Sequence, residues 1–287
     1  MAIPGRGSWW LALPVGLWAI AILLPLVLMA VVSFWERRLI GFEPALSLDA
    51  YELFFRGVRL EVLLRSLAVA SLATALMVLV AYPVAYAAAF VLGKRTARVL
   101  LWLLAVPFLI NYVIRTFAWA DVLGRQGFIN ATLLQWGLID APLDWLLFSD
   151  FAVYLGLVAA YMPFMVFPIY LSLSAIDGAL LDASGCLGDT PLQTFCRVVL
   201  PLSLPGLSAA AIFGFVGALG EVAVPLILGG VGYQLLGNTI TSALAVLNYP
   251  LAAAMSTVVV AIMTAALWAW LGLFDLRALL GHTLGRR

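Results

Sequence analysis

Long charge-free apolar runs, separated by short polar turns, dominate the pattern of this chain. A helix needs ~20 apolar residues to cross a bilayer, and runs of that length recur along the sequence. They extend from Trp9 to Trp35, Val62 to Leu92, Val99 to Leu123, Phe151 to Ala175, Leu202 to Leu228 and Leu251 to Phe274. The pattern predicts an all-α, polytopic membrane protein with six transmembrane helices, organised as a single domain over residues 1–287. The first run is too long for a secretion signal and has no convincing small-x-small cleavage site behind its apolar core, so it is better read as an uncleaved first helix. The amphipathic stretch Leu48–Phe55 suits a short helix lying at the membrane surface. No period of about 20 to 50 residues stands out, which argues against a solenoid or an inverted-repeat transporter.

Composition sharpens this picture by exclusion. With 65% hydrophobic and 10% charged residues and a mean hydropathy of +1.13, the chain has no room for a soluble catalytic domain beside its spans. A net charge of +1 supplies neither a basic field for nucleic acid nor an acidic tail. His282 is the only histidine, and Cys186 and Cys196 are the only cysteines. A Cys/His metal site or a Ser-His-Asp or Cys-His constellation therefore lacks members, no metal centre is expected, and the cysteines are expected to pack as small apolar groups. An even number of spans puts both termini on one side. Arg6, the cluster Lys94-Arg95-Arg98, and Arg277, Arg286 and Arg287 assign that side to the cytoplasm. Arg37, Arg38, Arg56, Arg59 and Arg65 lie between the first two spans against this bias, offset by Glu36, Glu43, Asp49, Glu52 and Glu61.

Residues 177–200, between the fourth and fifth runs, are patterned to fold. Asp177 can cap a short helix carrying Leu180, Leu181 and Ala183 to Leu187, and Gly188 breaks it. Thr190-Pro191 supplies the N-cap and first position of a second helix with Leu192, Phe195, Val198 and Val199 on one face. Pro201 disfavours continuation of that helix at Leu200. The result is helix, glycine bend, helix, standing outside the bilayer with a greasy face. That face could lie on the membrane, on the protein's own helices, or on another protein.

Within this segment Asp182-Ala183-Ser184, three residues, Gly188, nine residues, then Val198-x-Leu200-Pro201 resembles the EAA loop of ABC importer permeases. Their pattern is E-A-A-x3-G-x9-I-x-L-P. Asp182, Ser184 and Val198 depart from it, and Asp182 matters most because its carboxylate is one methylene shorter. Ala81 to Tyr86, Ile114 to Trp119, Gly127 to Asn130, Tyr161 to Met165, Leu202 to Gly206, Gly220 to Pro225 and Leu228 to Gly230 resemble, in that order, permeases of the spermidine/putrescine type. The resemblance implies a type I ABC importer permease fold in a bacterial inner membrane, with loop 177–200 facing the cytoplasm and docking into an ATPase subunit. It also implies a second permease subunit, like or unlike this one, two cytoplasmic ATPase subunits that bind ATP and Mg, and a periplasmic solute-binding protein. The solute would be a small cation, foremost a polyamine such as spermidine or putrescine.

Ionisable residues at bilayer depth cost about 2.5 to 3.5 kcal/mol each, so those present usually face a cavity or a partner. Arg115 and Asp121 in the third run and Glu221 late in the fifth are such residues. Gly214, Gly217 and Gly220 precede Glu221 and leave one helix face bare for close packing or a lumen. One reading makes Glu221 and Asp121, with Arg115 beside them and the rings of Tyr112, Trp119, Tyr161 and Phe164, a weakly binding path for an ammonium-bearing solute. The other has Glu221 and Arg115 neutralise one another between helices while the aromatics pack. Pro83, Pro107, Pro163, Pro168 and Pro205 permit kinks.

ATP chemistry is not expected in this chain, nor is any cofactor. Gly93-Lys94-Arg95-Thr96 lacks both the Ser/Thr after its lysine and the leading glycine of a phosphate loop, and it reads as an inside-facing basic turn. An ion-coupled secondary transporter or channel without ATPases is the competing class, because embedded carboxylates suit it too. An intramembrane enzyme is disfavoured by the missing His and Cys constellations.

Overall fold

The computed structural model describes residues 9–38 and 41–273. Its helices are α1 (Trp9–Val32), α2 (Asp49–Phe55), α3 (Val58–Tyr86), α4 (Lys94–Ala105), α5 (Tyr112–Leu123), α6 (Phe128–Gln135) and α7 (Asp150–Ser174). They continue as α8 (Gly178–Cys186), α9 (Pro191–Thr194), α10 (Leu200–Leu219), α11 (Ala223–Leu228), α12 (Leu236–Ala245) and α13 (Tyr249–Leu273). A two-stranded antiparallel ladder pairs β1 (Glu36–Arg37) with β2 (Phe42–Glu43). Arg6, Arg277, His282, Arg286, Arg287 and the far end of the sixth run at Phe274 lie outside the described residues.

Five helical stretches are long and apolar enough to cross a membrane: Leu13–Val32, Val58–Val91, Asp150–Ser174, Pro191–Leu219 and Tyr249–Trp270. The third expected span, Val99 to Leu123, is not one straight helix. Lys94–Leu109 and Tyr112–Gln135 meet at 98°. Pro107 cannot donate a backbone bond, the chain tightens into a 3-10 turn over Val106–Leu109, and the Asn111 side chain accepts from the Val113 N–H at 2.9 Å to start α5 afresh. Counted as one broken span, this pair brings the total to the expected six.

The fifth span also differs from its expected limits. Pro201 does not end the helix, which runs from Pro191 to Leu219. A proline inside a helix leaves the carbonyl four residues back without its donor and crowds it. The chain absorbs this by widening into a π turn at Phe195–Val199, where the Leu200 N–H reaches back to the Phe195 carbonyl. A second π turn, Ala87–Val91, follows Pro83 in α3, with the Leu92 N–H on the Ala87 carbonyl at 2.8 Å. At its other end the fifth span stops at Gly220, and Ala223–Leu228 forms a separate short helix.

The contacts gather into two compact units, Met1–Glu61 with Thr239–Ala266 and Val62–Asn238 with Leu267–Arg287. In the first, α1 exposes apolar side chains from Leu13 to Val31, as a lipid-facing helix does. The surface segment behind it is held by Ser33 and Tyr51, whose hydroxyls lie 2.7 Å apart, and by Arg38 on Glu43 at 2.9 Å. The expected amphipathic helix is present as α2, burying Ala50 and Phe54.

In the second unit α7 packs along α10 through small residues, the means by which helices approach closely in lipid. A Cβ on Gly217 would fall 2.5 Å from the Tyr161 ring, and one on Gly214 would fall 2.8 Å from the Met165 sulfur. The bare glycine face anticipated from the sequence is thus a packing face. Gly156 of α7 likewise makes room for Val224 and Leu228 of α11. At the start of α7, Asp150 Oδ1 accepts from the Tyr233 hydroxyl at 2.6 Å and from Arg65 at 3.4 Å, while the Arg65 guanidinium lies 4.4 Å over the Tyr233 ring.

Substituting Gly217→Val should destabilise the protein in detergent by about 1 to 3 kcal/mol through the clash with Tyr161, whereas Gly16→Ala, in open space, should leave the melting temperature unchanged. Burial and the bond to Asp150 raise the Tyr233 pKa above its ordinary 10.0, with Arg65 opposing. A raised folded pKa contributes stability that is complete below about pH 10 and is lost as pH climbs toward the folded value. Thermal melts between neutral pH and strong base should therefore show a decline above about pH 10 that Tyr233→Phe removes.

Candidate functional site

Two regions carry the sequence-predicted residues: the extramembrane knob at 177–200 and the helix break at Glu221. In the knob, the Asp177 carboxylate accepts from the Ala179 N–H at 3.0 Å and starts α8. Gly188 adopts φ +88°, the left-handed conformation that glycine takes at least cost, and turns the chain. Thr190 and Gln193 then form a reciprocal capping box with Pro191 at the first helical position. Ser184, though it replaces an alanine of the motif, is the buried hinge pin: its hydroxyl donates to Asp189 at 2.9 Å and lies 2.9 Å from the Thr194 hydroxyl. Asp189 also holds Arg197 at 2.6 Å, which ties the turn to α9 and the π turn.

The expected greasy face divides in two. Phe195 packs edge-on to Tyr82 and Tyr86, and Val199 is buried. Leu187 and Leu192 instead stand 86% and 71% exposed, beside exposed Asp182 and Ala183. Val198 and Leu200 are half-buried and Pro201 is exposed. Cys186 and Cys196 are both exposed, contrary to the expectation that they pack as apolar groups. They sit on the outer side of the knob, where Ser184 and Val199 take the inward positions.

At the second region, the chain leaves helical geometry between Gly220 and Ala223, and the Glu221 carboxylate repairs the break. Its Oε1 accepts from the N–H groups of Val222 at 3.0 Å, Ala223 at 2.9 Å and Val224 at 3.4 Å. Its Oε2 accepts from the Tyr161 hydroxyl at 2.5 Å. Glu221 is only 5% exposed, and these donors satisfy the new helix start where water cannot. Tyr112 and Arg115 lie within electrostatic reach of this pair. α11 packs on both α5 and α7, which bring these side chains together.

Arg115 does not form an ion pair with Glu221. Its guanidinium donates to the Pro107 carbonyl at 2.9 Å, which also accepts from the Ile110 N–H at 3.3 Å at the other helix break. Asp121 is exposed and is not part of the cluster, because nine residues beyond Tyr112 at 100° per residue place it about 180° away around α5. Trp119 is half-buried on the Tyr112 side of that helix. Phe164, exposed on α7, stacks against Phe108 at 3.7 Å between ring centroids. Phe108 and the Arg65–Tyr233–Asp150 cluster carry no signal as site residues in the sequence beyond the lone Asp150 at the start of an apolar run. Asn130, named there only within a motif, is buried with its amide bonded to both Gly124 and Leu143.

Bilayer-length helices, interruptions whose backbone groups are taken up by Arg115 and Glu221, and a folded knob between two spans define a helical, multi-pass membrane protein. The chain belongs to the family of binding-protein-dependent transport system inner membrane components, whose family model matches residues 81–277. It is 35% identical over 259 residues to the spermidine/putrescine transport system permease protein PotB of Escherichia coli (strain K12), covering 88% of this chain and 94% of that one. The corresponding PotB of Haemophilus influenzae is 33% identical over 237 residues, covering 82% of each. A crystal structure of a bacterial alginate ABC transporter, in complex with a periplasmic protein bound to alginate pentasaccharide, contains a chain with the same fold. It superposes with a TM-score of 0.72 at 15% identity, covering 92% of this chain and 93% of that one. The protein is thus an ABC importer permease, and its relatives are permease subunits, in keeping with a non-catalytic membrane subunit.

Glu221→Gln retains an acceptor for the backbone donors and should cost about 1 kcal/mol in detergent melts, while Glu221→Leu leaves those buried donors orphaned and should cost about 3 kcal/mol or more. Tyr161→Phe should fall near the milder variant. Equal effects of Gln and Leu would show that the carboxylate does not hold the break.

Proposed function

We propose that this permease carries a polyamine, received from a periplasmic binding protein, and that loop 177–200 docks on a cytoplasmic ATPase subunit. The observation that carries the solute assignment is the 35% identity over nearly the whole chain to a spermidine/putrescine permease. Charge at the helix break supports it: Glu221 is a buried carboxylate held by neutral donors, so it attracts a passing ammonium group without an arginine bonded to it. Its four donors also moderate that attraction, which suits a site the solute must leave. Tyr112, Tyr161 and Arg115 border this charge, Phe164 and Trp119 supply ring faces, and Asp121 would act elsewhere along the path.

The docking assignment is supported by the exposed Leu187 and Leu192, apolar groups of the knob that the fold itself does not cover. Two ATPase subunits would bind ATP and Mg, and a second permease subunit would complete the pore. The knob and both termini then face the cytoplasm, as the basic turn at Lys94 to Arg98 also favours.

With ATPase subunits, a second permease and binding protein reconstituted together, Leu187→Asp with Leu192→Asp should reduce ATPase co-purification and spermidine uptake by about tenfold or more, while the melting temperature stays unchanged because both residues are exposed. Undiminished uptake would remove the knob from the drive. In the same preparation Glu221→Gln should lower spermidine uptake by about tenfold with ATPase subunits still bound, and unchanged uptake at saturating binding protein would take Glu221 out of the path.

A further inference from the structure

A cavity of about 500 Å³ opens beside the start of α4, between that helix, the π turn after α3 and the end of α7. Lys94 and Arg98 line it, Leu101, Leu173 and Phe90 form apolar wall, and Tyr170 and Ser174 add hydroxyls. No Asp or Glu lines it. The described arginines outside this turn each have a carboxylate or a backbone carbonyl within reach. Lys94, Arg95 and Arg98 have neither among the described residues. Among the described residues the uncompensated cations therefore lie together, and two of them line one cavity.

We propose that this cavity binds the headgroup of an anionic phospholipid, with the phosphate between Lys94 and Arg98 and an acyl chain along the apolar side of α4. Charge complementarity selects an anion, since two cations line the cavity without a carboxylate among its lining residues. The apolar wall selects a lipid over a soluble anion. Beyond the cations, α4 exposes Val99, Trp102 and Leu103, with Trp102 71% exposed. Trp102 lies about 6 Å along the helix from Arg98, the spacing of an interface anchor just below headgroup level. An acidic protein segment would match the cations and leave this apolar flank uncovered. The site also touches Ile176, Gly178 and Leu181, the entry to the knob, so an occupied cavity braces the knob against α4. The proposal rests on the chain spanning a bilayer with this turn at its surface, and it is independent of which solute is carried.

The test is native mass spectrometry of the assembled transporter released from nanodiscs of phosphatidylcholine and phosphatidylglycerol in equal parts. The wild type should retain phosphatidylglycerol preferentially. Lys94→Ala with Arg98→Ala should reduce that preference by about tenfold or more, and Arg95→Ala, outside the cavity, should leave it within about twofold. Leu101→Trp fills the cavity with the cations intact and should also abolish the preference, which separates a built site from diffuse surface charge. An unchanged preference in the double variant, or an equal loss in Arg95→Ala, would overturn the proposal. So would displacement of the lipid by inorganic phosphate, which points to a free anion, or release of an ATPase subunit with lipid retention intact, which points to a protein contact. Uptake of solute is not part of this readout, so failure of the polyamine assignment leaves it interpretable.

Discussion

Backbone polar groups inside a bilayer have no water to turn to, so every break in a spanning helix must be repaired by the protein itself. At the 98° break after Leu109 and at the interruption between Gly220 and Ala223, ionisable side chains take up backbone groups. At 106–111 the Arg115 guanidinium takes the Pro107 carbonyl, and Asn111 takes the Val113 N–H. At 220–222 the Glu221 carboxylate takes successive N–H groups. Two opposite charges near one another would be expected to pair, but each has instead been committed to backbone. The cost of a charge at this depth is offset by the larger cost of leaving several peptide groups unsatisfied.

Repair at Glu221 also fixes where the long fifth helix ends, and its other end lies in the knob. Pro191–Leu219 comprises 29 residues, about 43 Å at 1.5 Å per residue, against a hydrocarbon core of about 30 Å. The surplus is long enough for the first turns of this helix, the second arm of the knob, to extend past the hydrocarbon. A displacement of the knob is therefore delivered along a continuous helix to the residue that caps the break, with no intervening loop to absorb it. The π turn at Phe195–Val199 is what makes this continuity possible past Pro201. Its Phe195 ring, wedged against Tyr82 and Tyr86, links the same helix to α3.

Most of this was legible in the sequence where the signal is local. Apolar run length located the spans, and Asp177, Gly188 and Thr190-Pro191 announced the cap, bend and restart that the backbone adopts. Proline was the unreliable letter. Pro201 reads as a stop but is absorbed by a π turn, while Pro107 reads as one kink among several and marks a 98° break. Sequence alone does not distinguish them, because the outcome depends on partners distant from the proline: at the Pro107 break Arg115 and Asn111 hold backbone groups, whereas past Pro201 the helix continues through a π turn closed on Phe195. Gly217 reads as part of a bare face, yet whether that face borders a lumen or a ring depends on Tyr161, distant in sequence. The cluster of Arg65, Asp150 and Tyr233 joins α3, α7 and the loop before α12 and leaves no spacing to read.

The bond between Tyr161 and Glu221 joins these themes. Gly217 lets the ring lie against α10, and the hydroxyl reaches the carboxylate at the end of the same helix, so packing and capping converge on one side chain. A shift of α10 along α7 by even a fraction of a helical turn would separate the ring from its glycine seat and draw the hydroxyl off the carboxylate. The carboxylate would keep its backbone donors, which lie on its own segment, and lose only the donor from α7. Its capacity to accept a donor from elsewhere thus changes with the relative position of two spanning helices. That coupling needs no titration and no rearrangement of the break itself, only the sliding of one close-packed pair.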